Sequence, residues 1–197
     1  MNTTTLIIIA VVIVLLVFAY WIVQRRTTDH LREGFGEEYD QAVASKGSLS
    51  KAERELAERQ KRVSQYEITP LTTQQRAEFS ARWQAVQGEF VDDPGSANTN
   101  AAALVRDAMQ ARGYPTENFE SQAADLSVEH PKVVQHYRAA HTVALKHTDG
   151  EATTEELRRA MQDYRALFDV LVTDGAEDSH ERTVVSRDLP PTSPHSP

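Results

Sequence analysis

Three regimes of apolar and polar positions follow one another along the chain. From Leu6 to Val23 the sequence LIIIAVVIVLLVFAYWIV is apolar on every face and carries no charge or helix breaker. Backbone amides in hydrocarbon must find partners within their own segment, so this run predicts a membrane-spanning helix over residues 6–24. At ~1.5 Å per residue the run reaches ~27 Å, close to the ~30 Å hydrocarbon thickness. Tyr20 and Trp21 suit the headgroup level, and Gln24, Arg25 and Arg26 end the run. A cleaved signal peptide would carry a basic leading region and a small-residue cleavage site. Here residues 1–5 hold no Lys or Arg, and the run closes on Phe18-Ala19-Tyr20-Trp21. Because Arg25, Arg26 and Arg32 all follow the run, the positive-inside bias places the N-terminus outside and the body in the cytoplasm.

The second regime has helical periodicity throughout, with no run of strand alternation. Leu31, Phe35, Tyr39, Ala42 and Val43 form one stripe, with Gly34 and Gly36 as weak points and Gly47-Ser48 as a break. Ser50-x-x-Glu53 reads as a capping box for a helix whose apolar side is Ala52, Leu56, Val63 and Tyr66. Glu55–Arg59 and Glu58–Arg62 are favourably ordered i,i+4 pairs on it. So thin a stripe suits either a coiled-coil-like stalk or a solvated surface helix. Thr69-Pro70 and Asp93-Pro94 read as cap-then-proline starts, although Gly95 to Asn100 are poor helix formers that move the second start toward Asn100. Phe79, Trp83, Val86 and Phe90 are the strongest core face, followed by Leu104, Val105, Ala108 and Met109 up to the stop Arg112-Gly113-Tyr114-Pro115. A short helix carries Phe119, Ala123 and Leu126. After the His130-Pro131 boundary a broad face runs from Val133 to Leu145, closed by Gly150. Thr153-x-x-Glu156 then caps a helix bearing Leu157, Met161, Tyr164, Phe168 and Leu171.

The third regime, after Val172, is acidic and then Pro/Ser-rich, a composition that predicts disorder. The expected architecture is therefore all-α. It has a short flank (1–5), a transmembrane helix (6–24), juxtamembrane and stalk-like helices (25–69), a small helical bundle (70–172) and a disordered tail (173–197). Charge narrows the choice of partners. The chain of 197 residues carries a net −8, and since the apolar run is uncharged the whole excess lies in the body and tail. A net acidic body argues against nucleic acid, whose phosphates require a basic face. With no Cys there are no disulfides and no thiolate chemistry.

The residues offer little catalytic equipment. His130, His136, His141 and His147 are spaced six, five and six apart, so no two share a helix face as metal ligands would, and no metal site is expected. His141 lies on the apolar face with Tyr137, where a hydrogen-bonded core histidine is the expected role. Asp125, Ser127 and His130 hold the side-chain types of a triad, but at what reads as a helix start, where Ser and Asp also serve as caps. Phosphate-binding glycine loops, dinucleotide fingerprints and nucleophile elbows are missing, so no cofactor is expected.

Several phrases occur together in order: Phe35-Gly36 with Glu38-Tyr39-Asp40; Arg82-Trp83 with Val86-Gln87 and Phe90-Val91-Asp92; Arg112-Gly113-Tyr114-Pro115; and Leu126-Ser127-Val128 through His130-Pro131 to Tyr137-Arg138-Ala139-Ala140-His141. As a set, covering about Leu31 to Val172, they resemble a family of uncharacterised single-pass bacterial membrane proteins. The chain departs from that pattern at Asn98 and Ala102, where the family carries Val and Asp. The resemblance implies a domain behind a membrane anchor and brings no assigned activity or catalytic residue. The leading expectation is a non-enzymatic interaction or structural domain. The lipid bilayer is its first partner, through a run bounded by Leu6 and Val23 and flanked by Tyr20, Trp21, Arg25 and Arg26. A protein partner or self-association comes second. The rival expectation is a membrane-tethered enzyme or ligand sensor with a site near Asp125, Ser127, His130 and His141.

Overall fold

The computed structural model describes residues 28–174 and, within the apolar run, Val12, Ile13, Leu15 and Phe18. Leu6, Tyr20, Trp21, Val23, Arg25, Arg26 and the expected tail beyond Asp174 lie outside the described residues. Among the described residues no helix is long and apolar enough to cross a membrane, so the spanning helix expected over 6–24 is not among the elements seen. The four described positions of that run are helical, and their side chains are 48–60% exposed.

The described chain is all-helical, with no strand among its residues. Helical residues 28–35 are followed by α1 (Glu37–Lys46), α2 (Leu49–Val63), α3 (Thr73–Glu89), α4 (Pro94–Arg112), α5 (Phe119–Glu129), α6 (Val134–Thr148) and α7 (Thr154–Thr173). It divides into two compact units. The first takes the described part of Met1–Gln65 together with Ala124–Lys132; the second takes Tyr66–Ala123 and the described part of Val133–Pro197. Residues 124–132, placed by sequence within the bundle, belong instead with the first unit.

In the first unit Gly47, in the left-handed region at φ 64°, donates its N–H to the Val43 carbonyl and turns α1 into α2. The resulting hairpin closes Leu31, Phe35, Tyr39 and Ala42 over Ala52 and Leu56, with Val43 and Val128 at the edge. Ala52 and Leu56 are fully buried, so the thin stripe of α2 is covered inside the unit and does not form the seam of a projecting stalk. The helix starts at Leu49 with Ser48 as N-cap and no side-chain cap bond, not at a Ser50–Glu53 box. Glu53 is instead buried and accepts hydrogen bonds from the hydroxyls of Thr28 at 2.6 Å and Tyr39 at 3.1 Å.

In the second unit α7 packs along α4 and α6, and α3 packs on α4. Its starts are strongly capped. Thr153 and Glu156 form a reciprocal capping box on α7, as read from the sequence. Thr72 and Gln75 form another on α3, so that helix begins three residues beyond the predicted Pro70. Asp93 caps α4 with Pro94 at its first position, and the helix runs straight through Gly95 to Asn100. Asn98 explains why: buried, it donates from Nδ2 to the carbonyls of Pro94 and Leu157, tying the first turns of α4 to α7. Trp83 is fully buried and stacks on Phe168 with ring centroids 4.7 Å apart, which gives the core reading of the α3 face its physical content.

Candidate functional site

The last turns of α5 bring Asp125 and Ser127, with His130 just beyond, into the first unit, and α2 sets the geometry of Asp125 and Ser127. Arg59 and Arg62 lie three residues apart on α2 and therefore share a face. Arg62 donates from Nε to an Asp125 carboxylate oxygen at 2.8 Å. Arg59 donates from Nη1 to Ser127 Oγ at 3.3 Å, approaches Glu38 of α1 at 3.6 Å, and pairs with Glu55 one turn back, which Lys46 also holds. Glu38 and Asp125 are each 2% exposed, Ser127 is 0% and the Arg59 side chain 12%, so the centre of this network is buried, while Arg62 and Lys46 reach the surface. The sequence-based i,i+4 pair Glu55–Arg59 forms. Arg62, expected on Glu58, crosses to Asp125, and Glu58 pairs with Arg54.

Ser127 sits two residues before the end of α5, not at a helix start as the sequence reading had it. Its hydroxyl carries one hydrogen, and that hydrogen is donated to the Ala124 carbonyl at 2.6 Å. A serine nucleophile must direct that hydrogen at a base. Here the oxygen accepts from a guanidinium and the hydrogen is held by the helix backbone, an arrangement suited to packing a buried helix end. His130 follows α5, with its side chain 12% exposed and Nε2 4.0 Å from the Glu129 carboxylate.

His141 belongs to the second unit. It is half-buried and stacks on Phe119, centroids 3.6 Å apart and planes within 11°. Burial lowers its pKa, with Glu120 opposing. Neighbouring Tyr137 donates its hydroxyl to Gln122 Oε1 at 2.7 Å, and burial pushes that phenol up to about 12. His136 pairs with Asp163 at 2.7 Å, and the His147 ring lies over the Gly95 backbone, where an added Cβ would come within 2.5 Å of it. Among the described residues no group of three or more His, Asp or Glu is arranged to hold a metal ion.

Sequence reasoning found Asp125 and Ser127 but missed the residues that organise them. Glu38, Arg59 and Arg62 look like ordinary solvated charges on amphipathic helices. The available signal was Arg59 interrupting the apolar stripe of α2, a charge placed where the core face should continue. No protein-family model matches the chain, and no curated protein or solved structure shows significant similarity to it.

Proposed function

We propose that the chain is a membrane-tethered, non-enzymatic helical module. Its run from Leu6 to Val23 is the bilayer anchor, Arg25 and Arg26 hold the cytoplasmic side, and its body serves as an interaction or structural domain. Large apolar side chains left half exposed on a helix at Val12, Ile13, Leu15 and Phe18 support the tether, since a folded body in water would cover them. Its placement among single-pass bacterial proteins belongs to the same reading.

The observation that carries the non-enzymatic part is the commitment of the candidate catalytic groups to internal structure. Asp125 neutralises Arg62, and Ser127 bridges Arg59 to the helix backbone. Two tests apply. Reporters active only inside or only outside the cytoplasm, fused after Val172, read the topology; an active external reporter overturns the cytoplasmic placement. Proximity labelling from the body reads the partner, and recovery of no reproducible neighbour, including a second copy of the chain, overturns the interaction role. For the rival enzyme or sensor reading, a folded chain with Ala at Ser127, His130 and His141 is the discriminator. Full rescue of a deletion phenotype by that chain supports the structural role, and loss of rescue refutes it.

A further inference from the structure

The turn that ends α4 fastens two distant parts of the chain within the second unit. Toward the N-terminal side it uses backbone. The carbonyl of Arg112, the last residue of α4, accepts from the Thr69 N–H at 2.9 Å. Gly113 then passes so close to the entering chain that the Glu67 carbonyl lies where a Cβ would stand. Residues 67–69 belong to no helix, so this turn is what holds their backbone. Toward the C-terminal side the turn uses the Arg112 guanidinium, which reaches the end of α7. Nη1 donates to the Leu171 carbonyl at 3.4 Å and Nη2 to the Asp174 carboxylate at 2.7 Å.

The two partners of this ion pair differ sharply in their surroundings. The Arg112 side chain is 4% exposed, and Asp174 is its only anionic partner among the described residues. Its Nε is buried without an acceptor. Asp174, by contrast, is 44% exposed and caps the end of α7. Withdrawal of Asp174 therefore costs little at the carboxylate, which returns to water, and much at the guanidinium, which is left desolvated. Arg112 stands in the last turn of its helix, where carbonyls have no intrahelical partner and unwinding is easiest. Fraying that turn carries the guanidinium toward water, and it also withdraws the carbonyl that Thr69 uses. From this geometry we infer that Arg112 is a conformational latch. With Asp174 engaged, residues 67–69 are held on the second unit; with Asp174 withdrawn, they loosen. Coupling passes through one residue whose carbonyl serves one part of the chain and whose side chain serves the other, and by linkage it is reciprocal. The state of the end of α7 is thereby felt in the stretch that follows α2. The latch is a property of the second unit alone and does not rest on the tether proposed above.

Amide hydrogen exchange of the ¹⁵N-labelled full chain in detergent micelles, read by NMR, tests this. Asp174→Asn removes the charge and keeps the size. The Thr69 amide should then exchange about tenfold faster, equivalent to ~1.4 kcal/mol. Gly113 and Tyr114, whose amides bond to the Gln110 and Met109 carbonyls of the same turn, should follow it. Ser96 and Glu156, capped at the opposite ends of α4 and α7, should not change. Asp174→Glu keeps the charge and should restore most of the protection. In an Arg112→Met background, Asp174→Asn should do nothing at Thr69, because no buried cation is left to strand. Unchanged exchange at Thr69 in Asp174→Asn overturns the inference. So does a uniform acceleration that includes Ser96 and Glu156, or an undiminished effect in the Arg112→Met background.

Discussion

Arg59→Met is the sharpest probe of the first unit. Methionine keeps the apolar stem of arginine and removes only the guanidinium, so packing is little changed. What is lost is the positive charge 3.6 Å from Glu38, the pair with the partly exposed Glu55 that Lys46 still holds, and a donor to Ser127 at 3.3 Å. Arg59 is 12% exposed and Glu38 2%, so solvent replaces little of that interaction. Stripping one partner from a buried pair costs on the order of 3 kcal/mol, because the remaining charge stays desolvated. For a unit of this size ~1 kcal/mol moves the thermal midpoint by ~4 °C, so the expected drop is ~12 °C. Circular dichroism melts of the full chain read this directly. Adding Glu38→Gln to the same chain removes the other half of the pair and should return part of the loss, a coupling of about 1–3 kcal/mol between the two positions. A single substitution that lowers the midpoint by less than ~2 °C, or a double one that is simply additive, would refute the reasoning that this charge pair holds α1 and α2 together.

Other outcomes follow from named contacts. Gly113 has φ +100°, and a Cβ there would lie 2.4 Å from the Glu67 carbonyl oxygen, a backbone atom. Gly113→Ala should therefore cost about 2 kcal/mol or more in chemical denaturation, combining left-handed strain with a displaced segment, and a neutral result would contradict the geometry. Gly34→Ala should instead stabilise by about 1 kcal/mol, since it improves helix propensity in open space. Side-chain bonding from Arg158, with Arg159, holds the Glu155 carboxyl down to about 2; Lys146 and the Thr153 backbone and hydroxyl do the same for Glu156. Carboxylates depressed from 4.5 contribute stability above that pH and lose it as pH falls toward 2. Carboxyl ¹³C titration should give midpoints near 2 for both, with faster amide exchange in the first turn of α7 below pH 4.5, whereas two midpoints at 4.5 would overturn it.

Helix identities were legible because local chemistry specifies them. Thr153 and Glu156 bond each other's backbone whatever the tertiary fold, and Gly113 stops α4 through a conformation that glycine adopts freely. Boundaries failed where a distant residue decides them. The start of α4 was misplaced because Asn98 takes its second acceptor from Leu157, 59 residues away. Glu53 left its local capping role for Thr28, in helical residues 28–35, and Tyr39 on α1. The same limit hid the site. Composition of the Asp125–Ser127–His130 stretch was readable, but the arginines that set its roles lie more than 60 residues earlier, and periodicity carries no information about which face meets which.

The assignment of residues 124–132 to the first unit has a consequence for the order in which the chain becomes a protein. Synthesis delivers Leu31 to Leu56 early, yet Leu126 and Val128, with Asp125 and Ser127 for the two arginines, arrive only after the whole of Tyr66–Ala123 has been made. Until residue 132 leaves the ribosome, Arg59 and Arg62 wait without the far half of their network, and the early hairpin is a nascent structure with its closing piece still in the tunnel. Vectorial growth thus delays completion of the first unit until the first segment of the second, Tyr66–Ala123, has been made. A nonsense codon anywhere in the second unit before residue 124 would leave both units incomplete.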